Sequence, residues 1–132
     1  MLYMLDTDMC SYILKKHPAA VKAHFDAAGK DALAISTVVL GELYFGAARH
    51  VQGERIRQEI DDFASRLSVM DWDEAAADHY GSIRAELEAR GTPTGAMDLM
   101  IAAHARSLGA TLVTNNTRHF EKIHGLLLVN WT

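Results

Sequence analysis

Short, almost wholly apolar runs recur along this chain with longer segments of helical period between them, and no other feature limits its fold as much. The runs are Tyr3 to Asp6, Leu33 to Ser36 ("LAIS"), Ser68 to Asp71, Thr111 to Thr114 ("TLVT") and Leu126 to Val129 ("LLLV"). Apart from the weak third run they are apolar on both faces, as strands of a buried parallel sheet are. Helices are expected over about 8–16, 18–28, 37–50, 53–66, 73–90 and 97–108, with Pro18 in a first turn and Gly29 and Gly91 at helix ends. The expected class is α/β: a three-layer α/β/α sandwich around a mostly parallel sheet of four to five strands. No repeat or linker divides the 132 residues, which suit one domain burying roughly two-thirds of its unfolded surface.

Composition removes several function classes. The chain is 49% hydrophobic and 23% charged, a globular profile. Cys10 is the only cysteine, so an internal disulfide or a thiolate zinc cluster is excluded, and a reducing cytoplasm is the expected compartment. The opening apolar run is too short for a signal-peptide core, and no run of about eighteen apolar residues suggests a membrane span. A net charge of −4 and a pI near 5.9 argue against a general nucleic-acid coat protein, leaving room for a local footprint.

Ligands of open α/β sheets bind outside the carboxyl ends of the strands, and acids collect there. "MLYMLDTDMC" delivers Asp6 to the end of the first strand and Asp8 to the following helix, where Asp8 reads as the helix N-cap. In "STVVLGELYFGAARH" Glu42 stands in a helix that is apolar almost all round. A Glu there answers to a cation, an Arg such as Arg49 or Arg118, or lies on a locally exposed face. Gly41 and Gly46 flank it. In "RGTPTGAMDLMIAAHARSLG" Asp98 enters the first turn of a helix whose Met97, Met100, Ile101, Ala103 and Leu108 suggest packing inside the sandwich, with Asp98 partly buried. "LVTNNTRHF" ends a strand in Thr114, Asn115 and Asn116, residues that ordinarily form turns.

Taken in order, "LDTD", "VVLGELYFGA", "GTPTGAMDLMIAAHA" and "LVTNNTRHF" resemble the PIN-domain ribonucleases, specifically the VapC toxins of bacterial toxin–antitoxin pairs, over the whole chain 1–132. The resemblance implies that Asp6, Glu42 and Asp98 form the catalytic metal site, with Thr114 and Asn116 supporting it. It departs from the family in two places: Asn116 stands where many PIN domains have Asp, and Asp8 where Asn is commoner. The implied cofactor is Mg²⁺, with Mn²⁺ as substitute, and the implied reaction is in-line hydrolysis of RNA to a 5′-phosphate and a 3′-hydroxyl. Implied partners are a VapB-like antitoxin, a second copy in a homodimer, and transfer RNA cut in the anticodon region, with initiator transfer RNA favoured. Cations able to grip RNA are Lys15, Lys16, Arg49, Arg84, Arg118 and Lys122, and Arg84, Arg118 and His119 are the candidate substrate-binding residues.

Three other readings touch parts of the sequence. Paired-histidine catalysis has seven candidates, His17, His24, His50, His79, His104, His119 and His124, of which only His119 sits beside the motifs. A haloacid-dehalogenase-like phosphatase would use Asp6 as nucleophile and Asp8 as acid, but Cys10 stands where that family expects Thr or Val. A PIN-like module that only binds a partner is the third.

Overall fold

The computed structural model describes residues 1–132. Its five strands are β1 (Tyr3–Leu5), β2 (Leu33–Ser36), β3 (Ser68–Met70), β4 (Thr111–Val113) and β5 (Leu127–Val129), all parallel in the order β3-β2-β1-β4-β5. The helices are α1 (Thr7–Lys15), α2 (Ala19–Ala28), α3 (Thr37–Ala48), α4 (Gly53–Ala64), α5 (Glu74–Ala89), α6 (Ala96–Ser107) and α7 (Thr117–Phe120). They flank the sheet as the expected α/β sandwich requires. None is long and apolar enough to cross a membrane.

The apolar runs that form β1, β2 and β4 are covered on both faces, whereas β5, expected to be covered as well, lies at the sheet edge with Leu127 54% exposed. Met4, Leu5, Leu33, Ala34, Ile35, Leu112 and Val113 are all buried within one continuous core, which Phe25, Ile60, Phe63, Ile83 and Ile101 complete from the helices. The third run was the weakest in sequence and is the edge strand β3, where Ser68 and Val69 face solvent. Two elements had no sequence expectation: a 3₁₀ turn at Lys30–Ala32 and the single turn α7. Neither is long enough to display a helical period.

The strand order sets where a site can form. From β1 the chain first builds one side of the sheet through β2 and β3, then returns to the other side through β4 and β5. The reversal lies between β1 and β4, and the crevice at their carboxyl ends is the ligand position of such folds. Tyr3, Met4 and Leu5 pair with Thr111, Leu112 and Val113. The Asp6 N–H continues the ladder by donating to the Val113 carbonyl at 3.1 Å.

Local chemistry then steers the acids. Asp6, with extended backbone, is the N-cap of α1, its Oδ1 accepting from the Met9 N–H at 2.9 Å. This corrects the assignment of the cap to Asp8, which lies exposed in the first turn. Ser36 likewise ends β2 and caps α3, accepting from the Val38 N–H at 3.1 Å. At the end of α5 the Gly91 N–H donates to Glu88 and the Thr92 N–H to Leu87, a Schellman turn whose positive φ of 73° suits glycine. That turn sends the chain through Pro93 to Gly95 and into α6, which carries Asp98 in its first turn. Pro18 stands just outside α2, as its N-cap.

Leu112 is wholly buried at the centre of β4, so Leu112→Ala should lower unfolding stability by about 3 kcal/mol, leaving the denaturant m-value unchanged. A loss below about 1 kcal/mol in urea titration would mean that β4 is not packed as described.

Candidate active site

Four acids meet in one cleft of about 300 Å³ lined by Asp6, Thr7, Asp8, Glu42, Gly95, Ala96, Met97 and Asp98. They arrive on three separate stretches: the β1–α1 junction, the middle of α3 and the start of α6. No lysine or arginine lines the cleft, and none forms an ion pair with any of the four. The arginine partners considered for Glu42 are therefore absent. Arg49 lies over the Phe45 ring at 5.4 Å, and Arg118 is exposed on α7.

Three of the four carboxylates have a polar partner at hand. Asp6 is only 8% exposed, and burial raises its pKa from the ordinary 3.8 to about 6. The Thr114 hydroxyl and the Met9 N–H pull in the opposite direction, while the charges of Asp8 and Asp98 add to the rise. Glu42 accepts a 2.7 Å hydrogen bond from the Thr7 hydroxyl. Asp98 Oδ2 lies 3.3 Å from His119 Nε2.

These placements sharpen some expectations and change others. Thr114 is fully buried beside Asp6, but Asn116 is exposed and does not line the cleft; its contact is a backbone N–H donated to Thr114 Oγ1 at 3.0 Å. His119 touches Asp98 rather than waiting for substrate alone. Arg84 lies on α5 outside the cleft, bonded to Glu88 at 2.6 Å and to the Tyr80 hydroxyl at 3.1 Å. Met97 is 44% exposed at the cleft lip instead of packed inside, and the Asp98 side chain is half exposed. Thr7 had no assigned role; the only signal for it was its place between two acids in "LDTD".

Three carboxylates with no competing side-chain cation are hard oxygen donors of the kind Mg²⁺ and Mn²⁺ prefer. As the side chains stand, no three of them are close enough together to enclose an ion. Enclosing an ion would need the carboxylates drawn closer together than they stand. By donor chemistry the residues fit such an ion.

The PIN domain profile matches residues 3–126. The chain belongs to the PIN-domain family. Within it the relatives are VapC proteins: it is 46% identical to the tRNA(fMet)-specific endonuclease VapC of Shigella flexneri, over 98% of each chain. Ribonuclease VapC2 of Rickettsia felis is 41% identical over 99% of this chain and 98% of its own. Among solved structures, the DNA-bound VapBC complex of Salmonella typhimurium contains a chain that superposes with a TM-score of 0.94 at 43% identity, covering all of both chains. The all-parallel sheet and helical flanks are thus those of VapC PIN domains.

Burial of Asp6 has a measurable consequence in protein freed of metal. Its folded pKa of about 6 lies above the ordinary 3.8, so the folded state holds the proton more tightly than the unfolded one. The resulting stability is fully present below about pH 4 and lost as pH rises through about 6, a loss of up to about 3 kcal/mol. Asp6→Asn keeps a capping oxygen without the charge. In EDTA at pH 7.5 it should unfold at a higher temperature than wild type, and the gap should narrow at pH 4; equal melting at pH 7.5 would show that Asp6 carries no desolvation cost.

Proposed function

We propose that this protein is a divalent-metal-dependent endoribonuclease, the toxin of a VapBC-type toxin–antitoxin pair. The observation that carries the reading is the convergence of Asp6, Glu42 and Asp98, from three elements, on one cleft without a side-chain cation. Membership of the PIN family and the ribonuclease names of its VapC relatives support it.

In this reading Asp6, Glu42 and Asp98 hold Mg²⁺, for which Mn²⁺ substitutes. When bound, the ion neutralises charge on the phosphate and makes water more acidic. Asp6 anchors the site because its carboxylate is fixed by the α1 cap and the Thr114 hydroxyl, and it is ionised at neutral pH. His119 lies within reach of Asp98 and of a phosphate entering the cleft, while Arg118 on the same turn offers it a free cation. Addition of the water oxygen to phosphorus breaks the P–O3′ bond, leaving a 3′-hydroxyl on one fragment and a 5′-phosphate on the other.

The substrate proposed is transfer RNA cut in the anticodon region, with initiator transfer RNA favoured by similarity to the Shigella flexneri endonuclease. A VapB-like antitoxin is the proposed partner, in line with the VapBC complexes among the solved relatives. The surface suits such a partner, because Thr7 and Glu42 also border a groove with Leu14, Leu43, Ile56 and Ile60 that gives a peptide an apolar path to the carboxylates. The proposal includes a homodimer in the cytoplasm. A phosphatase reading with Asp6 as nucleophile finds no lysine in the cleft to support it.

A brief expression pulse followed by sequencing of RNA ends tests the reading. Wild type should create new 5′-phosphate ends in transfer RNA, whereas folded Asp98→Asn should lose at least about 100-fold of that cleavage, as should purified protein in EDTA. Cleavage that survives chelation, or ends in cyclic phosphate, would overturn it.

A further inference from the structure

A buried polar bridge connects the helix that carries Asp98 to the helix that carries Glu42. On α6, His104 is 1% exposed, and its Nδ1 lies 2.8 Å from the hydroxyl of the fully buried Ser36. Ser36 ends β2 and caps α3 through the Val38 N–H. The same helices are joined a second time through the β3–α5 connection, where the Trp72 N–H donates to Thr37 Oγ1 at 3.2 Å and its indole Nε1–H to the Met100 carbonyl at 3.0 Å. Thr37 opens α3 and Met100 lies on α6 just after Asp98.

The tautomer of His104 follows from its partners. The Asp71 backbone carbonyl acts on the His104 ring as an acceptor, and a proton on Nε2 leaves Nδ1 free to accept from Ser36. Nδ1 is then the acceptor, taking the Ser36 hydroxyl proton, while the Ser36 oxygen takes the Val38 N–H. Both residues are satisfied, in a setting where an unmade hydrogen bond costs about 1–3 kcal/mol. Packing alone does not need this arrangement, since a Leu and an Ala would fill the same space with no polar atoms to match.

We propose that His104 is a positioning residue: through Ser36 it sets the spacing of α6 against α3, and with it the distance between Asp98 and Glu42 across the cleft. The proposal rests on the metal-site reading for its functional consequence, while the bridge itself is a property of the protein alone. Neither His104 nor Ser36 lines the cleft.

Two nearly isosteric variants separate this role from ordinary stability. His104→Asn keeps an amide at the place of Nδ1 and so the contact with Ser36; His104→Gln keeps one at the place of Nε2 and so the contact with Asp71 alone. Each loses one hydrogen bond, so their melting temperatures should fall alike. Mn²⁺ affinity by calorimetry should fall by about tenfold in His104→Gln and stay near wild type in His104→Asn. In metal-free protein, the backbone amide signals of Glu42 and Asp98 should move in the Gln variant only. If His104→Gln does not fold, Ser36→Thr and Ser36→Ala provide the same comparison, the Thr variant keeping the hydroxyl.

Equal Mn²⁺ affinity in the two His104 variants, or a larger loss in Asn than in Gln, would overturn the proposal. Wild-type protein that binds no Mn²⁺ would defeat the metal-site reading instead, and the amide shifts would still decide the bridge: movement in Gln alone upholds it, and identical spectra refute it.

Discussion

The carboxylate of Asp6 is held where β1 stops and α1 starts, and most of the cleft is arranged around that one fixed group. Its backbone N–H belongs to the β1–β4 ladder and its side chain closes the first turn of α1, so neither end of the residue can move without breaking secondary structure. The position is also the point where the strand order reverses, the one place on the sheet edge where neighbouring connections diverge and leave a crevice. A charge set there is unavoidably desolvated. Burial moves its pKa to about 6, close enough to neutrality for the surroundings to decide how readily it accepts a cation.

The other acids reach the crevice from helices that start at the same sheet edge or are aimed at it. α3 leaves β2 through the Ser36 cap and brings in Glu42, while the Gly91 turn and the loop through Gly95 aim α6 so that Asp98 enters from the opposite wall. Asp8 and Asp98 both raise the pKa of Asp6, so the cluster is repulsive and needs a scaffold that resists spreading. The apolar core below and the hydrogen bonds between α3, α6 and the Trp72 connection supply that resistance. Thr7 and His119 soften the repulsion from above, each holding one carboxylate by a contact that a ligand can replace.

Much of this was legible in the sequence because it rests on contrasts that sequence displays directly. Doubly apolar runs marked the strands, and an acid inside an apolar helix marked Glu42. Other assignments failed where two residues of one type compete for one task. In "LDTD" either Asp could cap α1, and the choice went to Asp6 because β4 pairs with its N–H and holds it in extended conformation. Met97 was misplaced for a related reason: a helix apolar around most of its circumference does not disclose which apolar side chain a neighbouring cleft will leave exposed. Asn116, which the resemblance places beside the site, is exposed and does not line the cleft, because α7 begins directly after it.

The sequence by itself determined the parallel α/β architecture, since strands apolar on both faces cannot be buried any other way, and it determined which residues could carry charge at the sheet edge. Only the tertiary structure decided which of those charges meet. Convergence of Asp6, Glu42 and Asp98 depends on the angles at which α3 and α6 leave their turns and on the contacts between those helices, and such angles follow from packing between segments far apart in the chain, where no local pattern records them.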